Sequence, residues 1–359
     1  MKRLLFQLSL VLVLVSLVVS GCAPAAAPAT PAPAVENTVI VEVEKVVTAT
    51  PAPVEEKAFR VALILPSTTK DSSFSQAMYD ALVRLQEEMG KDKLEIAYSE
   101  SMFKIPDAAA AIRDYASQGY NLVIAHGSQY GSSLAEIAPD FPTTAFAWGT
   151  TVNTFQSEGI NNIFAYTGTS QFGGYVMGAV GAMLSKSKKV GICGPIETGD
   201  NRNYVKGVVQ GVKDTNLGVT VTTIWTGSYS DVTAMATCAQ THIQDGADVL
   251  YGSSQSSTGA IAAAKENNVY WFGHQYDNIP LAPEVVVASQ VYDFVPTLKD
   301  MIATIKAGVY GGKVYTLTLQ NGGFEIRYNK NIEIPADVKA KADELLEKVK
   351  KGEIEIPLD

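Results

Sequence analysis

Aromatic and small polar side chains gather at the carboxyl ends of short apolar runs in this chain, and those are the places where chemistry could be done. Phe74, Tyr130, Trp148, Tyr166, Tyr229, Tyr276 and Tyr292 all fall at or beside such ends. Ser128, Thr150, Ser228, Ser256, Ser257, Asp277 and Asp293 lie next to them. Rings to stack on, a few placed donors and acceptors, and little charge suit a flat, neutral, hydrogen-bonding ligand. Phe74 and Trp148 lead the candidates, because each sits where a buried strand gives way to an exposed loop. Tyr229 reads as ordinary packing. Trp271 and Phe272 lie mid-strand and read as core.

No enzymatic constellation accompanies these residues. The chain has neither a G-x-S-x-G elbow nor a G-x-x-x-x-G-K-[ST] phosphate loop. The three histidines, His126, His242 and His274, are scattered. His242 lies on a helix and is expected at the surface, while His126 and His274 stand at strand ends within reach of a ligand. No Cys or His spacing fits a metal, so neither metal nor cofactor is expected. The net charge of −9 and the lack of a basic patch argue against nucleic acid as a partner. Cys193 and Cys238 sit in apolar surroundings. Two buried free thiols are the expected state, with a disulfide left open for a chain outside the cytoplasm.

The elements that must position these groups alternate. Phe59 to Leu65 is a short apolar run ending at Pro66, as suits a strand buried on both faces. Ser67 to Ser73 is a polar loop, and the helix opening at Phe74 carries Met78, Ala81, Leu82 and Leu85 at helical spacing. Further strands are expected at Leu94–Tyr98, Asn121–Ala125, Thr144–Trp148 and Ile163–Tyr166, with a helix capped by Asp107 between the first two. After a helix over Phe172–Leu184 the rhythm starts again with the strand Lys189–Cys193 and a helix from Asn203. Strands at Val219–Trp225, Asp248–Tyr251, Tyr270–Phe272 and Val285–Gln290 follow, with helices over Asp231–Gln244 and Thr258–Glu266. The chain closes with a helix over Phe294–Ala307, strands at Lys313–Thr318 and Gly323–Tyr328, and a charged helix from Ala336. This alternation implies doubly wound parallel sheets, an α/β architecture in two lobes. Loops leaving the carboxyl ends of the strands, Ser67–Phe74 foremost, would line a cleft between facing lobes.

The amino terminus reads as an address. A basic start, an apolar run from Leu4 to Val19 and then Ser20-Gly21-Cys22 form a secretory signal segment over residues 1–21. Leu17-Val-Val-Ser-Gly-Cys22 resembles the lipobox of bacterial lipoproteins, which implies a diacylglycerol on Cys22. The Ala- and Pro-rich residues 22–56 read as an extended tether.

Several motifs of the body are similar to one family. Asp71-Ser-Ser-Phe74-Ser-Gln76 resembles the first-loop D-x-S-F-N-Q motif of the basic membrane lipoproteins, the purine-nucleoside-receptor-like binding proteins. Phe172-Gly-Gly-Tyr-Val-Met-Gly178, Ser185-Lys-Ser-Lys-Lys-Val-Gly191, Gly227-Ser-Tyr-Ser-Asp231 and Gly246-Ala-Asp-Val249 resemble its other signatures, and the likeness runs from Phe59 to the end. The resemblance implies a type I periplasmic binding fold with a three-strand hinge. It places lobe 1 at 57–165 and 291–312, and lobe 2 at 166–290 and 313–359. It implies a lipid-anchored, extracytoplasmic, monomeric receptor at the cell membrane that delivers a small molecule to ABC permease subunits.

Two departures bear on the ligand. Gln275, in Gly273-His-Gln-Tyr-Asp277, stands where nucleoside-binding members carry a ribose carboxylate, and no lysine follows the next strand. The stretch Phe272 to Pro283 looks more like a subgroup that takes free purine bases such as adenine, and Ser256-Ser-Thr-Gly-Ala260 resembles that subgroup's D-S-T-A-A turn. The expected ligand set is therefore Phe74 stacked on a purine, Trp148 near its opposite face, Asp277 and Asp293 accepting from ring or amino N–H groups, and Asp71, Ser128, Tyr130, Tyr166 and Ser256 around the edge. A nucleoside, a riboflavin-type ligand and a sensor ectodomain are the alternatives.

Overall fold

The computed structural model describes residues 57–358. The signal segment, Cys22 and the tether lie outside the described residues. Among the described residues no helix is long and apolar enough to cross a membrane.

The first half of the chain runs β1 (Phe59–Ile64), α1 (Phe74–Met89), β2 (Leu94–Ser99), α2 (Ile105–Ser117), β3 (Leu122–Ala125), α3 (Gly131–Ile137), β4 (Ala145–Gly149) and β5 (Ile163–Gly168). The second runs α4 (Ser170–Leu184), β6 (Lys189–Gly194), α5 (Gly199–Asp214), β7 (Thr220–Trp225), α6 (Val232–Gln244), β8 (Val249–Gly252), α7 (Thr258–Glu266), β9 (Tyr270–Gln275) and β10 (Val286–Tyr292). The chain then crosses back through α8 (Val295–Lys306) and β11 (Val314–Leu317), and ends with β12 (Phe324–Tyr328) and α9 (Ala336–Lys350). Two six-stranded sheets result, ordered β2-β1-β3-β4-β5-β11 and β7-β6-β8-β9-β10-β12. All pairs are parallel except β10 with β12.

Burial explains why apolar runs become these strands. In β1, Val61 and Leu63 pack into one core with α1 and α8, while Ala62 and Ile64 pack into another with α2 and α3. Alternate residues thus serve opposite faces, and both faces are covered by helices. The second lobe repeats the plan, with Cys193, Leu250 and Trp271 facing α6 and α7.

Three segments connect the lobes: Thr169, the pair Asp293–Phe294, and residues 318–323. Expectation put residues 313–317 in lobe 2, but β11 pairs with β5 in the first sheet, so the third crossing follows β11. The first crossing is tight. A Cβ on Gly168 would come within 2.4 Å of the Phe324 ring, so only glycine admits the hinge aromatics there.

Other local expectations change. Asp107 lies inside the first turn of α2, whose cap is Lys104, because Pro106 fixes the opening φ. Helix α5 begins a turn earlier than Asn203, at Gly199. Cys193 and Cys238 form a disulfide, not two free thiols. His242 is buried, not exposed: its Nε2–H donates to the Ile192 carbonyl (3.2 Å) and Nδ1 accepts from the Thr222 hydroxyl (3.1 Å). It fits because Gly191 has no side chain, and a Cβ there would lie 2.4 Å from the ring.

Candidate functional site

In each sheet the strand order reverses direction about one point: between β1 and β3 in the first, and between β6 and β8 in the second. Open α/β sheets bind ligands outside the strand ends at such a point. A cavity of about 270 Å³ lies there, lined from both lobes. Pro66 and Phe74 follow β1, Gly127 and Ser128 follow β3, Thr198 to Asn201 follow β6, and Gln255 follows β8. Phe103, Gln129, Thr150, Tyr229 and Gln275 complete the wall. This lining contains one carboxylate and no lysine or arginine.

Phe74 is fixed from behind. The Asp71 carboxylate accepts from the backbone N–H groups of Ser73 (2.9 Å), Ser75 (3.2 Å) and Gln76 (3.0 Å), which ties the loop to the start of α1. The Phe74 ring lies flat on His126, with centroids 3.7 Å apart and planes 13° apart. Burial holds the His126 imidazole neutral, at about 3. Its Nε2–H donates to the Phe74 carbonyl (2.8 Å), so Nδ1 is bare and accepts from the Tyr166 hydroxyl (2.6 Å). The edges of Tyr292 and Phe294 flank the ring at 5.9 and 6.3 Å.

The opposite wall is polar. Asp200 stands in the first turn of α5, buried, and its carboxylate accepts from the Tyr292 hydroxyl. Burial pushes the Asp200 carboxyl up to about 6, against the opposing pull of the nearby Ser170 hydroxyl, whose own hydrogen bond goes to the Asp200 backbone carbonyl (3.0 Å), and of the Tyr292 hydroxyl. Asn201 reaches the Tyr229 hydroxyl (3.4 Å) and accepts from Ser253, whose oxygen takes the Nδ1–H of His274 (2.7 Å). His274 is also neutral, held by burial at about 3, so its Nε2 makes no ion pair with Asp200 at 3.9 Å.

The lobes touch along one side of the cavity. The Ser73 hydroxyl donates toward the Ser254 carbonyl (3.0 Å) and Gln275 Oε1 (2.5 Å). Asn278 donates to the Ser72 carbonyl (3.1 Å). The Tyr276 hydroxyl donates to Asp80 (2.7 Å) and accepts from Gln76 (3.1 Å). Gln275 holds φ at +78°, a left-handed conformation uncommon for a residue with a side chain.

Of the residues expected around the ligand, Phe74 and Ser128 line this cavity. Trp148 does not. It stacks on Phe155 (centroids 5.1 Å, 7°) and donates to the Ser128 carbonyl (3.2 Å), so it supports the wall from outside. Tyr130 is fully buried, and its hydroxyl donates to the Met102 carbonyl (2.8 Å). Tyr166 lies behind His126, and Asp71 braces the loop. Ser256 is buried against the Ser254 hydroxyl (2.9 Å).

Asp277 and Asp293 line a different, charged groove of about 710 Å³ over α1, β10 and β12. Both carboxylates are engaged by arginines there. Asp293 pairs with Arg84 (2.8 Å) and accepts from the Val295 N–H (3.0 Å), and Asp277 pairs with Arg327 (3.0 Å). The groove is larger than the cleft cavity, but it lies away from the strand ends of the first lobe.

Asp200, Asn201, Gln255 and Phe103 are not among the residues singled out from sequence, and Tyr229, read there as packing, lines the cavity. Thr198-Gly-Asp200 after a buried strand is a helix-start signal, and reading it would have put Asp200 at a strand end.

Comparison with known proteins fits this geometry. Residues 58–359 match the model of the Bmp family, described as ABC transporter substrate-binding protein PnrA-like. The chain is 26% identical to a purine-binding protein of Brucella abortus (strain 2308), over 83% of this chain and 83% of that one. It is 25% identical to an ABC transporter nucleoside-binding protein, BmpA, of Lactococcus lactis subsp. cremoris, over 76% and 82% of the two chains. An ABC transporter solute-binding protein of Aeropyrum pernix K1 superposes with a TM-score of 0.73 at 19% identity, over 84% of this chain and 94% of that one. The fold is the type I periplasmic binding fold.

Proposed function

We propose a ligand for this protein from one premise: the chain belongs to the Bmp family, the PnrA-like substrate-binding proteins of ABC transporters. It is a binding protein, not an enzyme. The proposed ligand is a free purine base, held between the lobes. One observation carries the reading: Phe74 from lobe 1 and Tyr229 from lobe 2 line a single cavity of about 270 Å³ that has no cationic side chain. Two rings from opposite lobes border the space a planar molecule would enter, Phe74 with one face already resting on His126. Ser128, Asn201, Gln255 and Gln275 offer donors and acceptors to its edge. The volume lies just below the roughly 300–1,000 Å³ span of drug-sized pockets, which favours a base over a flavin. The purine-binding relative supports the same class.

A nucleoside is the second reading, favoured by the nucleoside-binding relative. Here Gln275 stands where the resemblance places a ribose-binding carboxylate, which is why the base comes first. In this account the protein is a monomer, lipid-anchored through Cys22 on the extracytoplasmic side, and a permease reads the closed pair of lobes. The Cys193–Cys238 disulfide suits an oxidising compartment. Calorimetric titration with adenine, guanine, hypoxanthine, adenosine and riboflavin tests the ligand. The expected result is tightest binding by a free base. Binding of adenosine far more tightly than any base would make the nucleoside the ligand.

A further inference from the structure

Asp200 is the one carboxylate in the cavity lining. It is 7% exposed, and its two oxygens have different fates. One accepts from the Tyr292 hydroxyl, while Oδ1 has no hydrogen-bond partner. Leaving a buried charged acceptor unpaired is costly. No cation offsets it, since His274 makes no ion pair and the lining holds no lysine or arginine. Gln255, also in the lining, has a second buried oxygen without a partner. The wall therefore holds acceptors whose donors the protein does not provide; both are closed to solvent as they stand, so a ligand donor meets them when the two side chains turn toward the adjoining cavity.

We propose that Asp200 selects the ligand's chemistry: its free oxygen takes a polarised N–H or O–H of the bound molecule, and its charge turns away anions. The inference rests on the reading of the cleft as a ligand site and deepens it. It assigns the protein to neutral or cationic ligands with a hydrogen-bond donor on the edge facing α5. Phosphorylated ligands, nucleotides among them, are excluded. A phosphate would bring a second negative charge to a water-poor wall with no cation to meet it. A receptor that refuses phosphates and accepts their dephosphorylated parents must stand downstream of a phosphatase-type reaction wherever the source is a nucleotide.

The test compares wild type with Asp200→Asn and Asp200→Ala. Ligand-free melting points are measured first. A carboxylate kept for ligand costs the empty protein stability, so Asp200→Asn is expected to melt at or above wild type. A clear drop would make Asp200 a structural support for Tyr292 and overturn the proposal. Next, a thermal-shift panel is run at pH 7.5 on purine bases, nucleosides, their monophosphates, neutral sugars, polyols and amines. Compounds that bind wild type are expected to be neutral or cationic donors. They should weaken at least about tenfold in Asp200→Asn and further in Asp200→Ala, as for a hydrogen bond to a charged group. A monophosphate binding wild type as tightly as its parent, or unchanged affinity in both variants, would overturn the proposal. If sugars or amines bind through Asp200 and purines do not, the purine reading fails while the role of Asp200 stands.

Discussion

Phe74 and His126 lie face to face at 3.7 Å, and the same histidine donates from Nε2 to the Phe74 carbonyl. The imidazole therefore fixes both the ring and the backbone of the residue proposed to stack on the ligand. His126 is itself buried and absent from the cavity wall. Its replacement acts through Phe74. His126→Ala should weaken ligand binding about tenfold, with the loss coming from a disordered Phe74. His126→Phe restores a flat support but not the hydrogen bond, and should recover part of it. Calorimetry on the two variants checks this; equal affinities in wild type and His126→Ala would contradict it.

The buried histidines also set the acid limit of the fold. His126 and His274 are held at about 3, below their ordinary value of 6.5. The unfolded chain therefore takes up protons first, so the stability they give is full above pH 6.5 and is lost as pH falls from 6.5 toward 3. Asp200 opposes this. Its carboxyl is raised to about 6 from 3.8, so the folded chain holds that proton longer and gains as pH falls across that window. Burial also lowers His242 and raises Asp71, so three imidazoles stand against two carboxyls, and urea midpoints should fall from pH 7 to pH 5. His126→Gln should flatten the slope. A rise in stability over that range would count against the neutral state of both rings.

The hydrogen bonds of Tyr276 to Asp80 and Gln76 join lobe 2 to lobe 1 at the cavity rim. Tyr276→Phe removes both and keeps the ring. At about 1 kcal/mol for each net hydrogen bond, closure should be weakened by about 2 kcal/mol and ligand affinity should drop by up to about thirtyfold. Small-angle scattering should show a larger open fraction at subsaturating ligand. No change in either measurement would mean that these contacts do not govern closure.

The disulfide closes a 45-residue loop from β6 to α6. In the chain-entropy account such a loop contributes about 4 kcal/mol. The double substitution Cys193→Ser, Cys238→Ser should lower the urea midpoint accordingly. Both cysteines pack away from the cavity lining, so ligand affinity at a temperature well below melting should hold within about twofold.

Asp277 and Asp293 separate two accounts of the site. Both line the charged groove, where Arg327 and Arg84 occupy them. Asp277→Asn and Asp293→Asn should leave ligand affinity within about twofold and cost little stability, as partly exposed ion pairs do. A loss above tenfold in either would move the ligand to that groove.

Much of the fold was legible because parallel strands buried on two faces leave unbroken apolar runs, and the helices between them keep helical spacing. The α6 case shows what was overlooked. Met235, Cys238, Ala239 and His242 follow i, i+3, i+4, i+7, and all four are buried on one face. That spacing marks His242 as core and turns Cys238 toward the sheet, where the structure pairs it with Cys193. The site was less legible. Phe74 and Ser128 come directly after loops that leave strongly apolar strands, whereas Asp200 lies in a helix that begins a turn before the expected start. Asp277 and Asp293 were attractive as carboxylates at strand ends, but sequence does not show that Arg327 and Arg84, distant in the chain, reach them first.

The central claim is that a planar molecule is clasped between the lobes against Phe74. Its most direct test is the calorimetric affinity of Phe74→Ala for the tightest-binding purine of the panel, beside Phe74→Tyr. The account predicts a loss of at least about tenfold in the alanine variant and near-wild-type affinity in the tyrosine variant. Undiminished affinity in Phe74→Ala would contradict it.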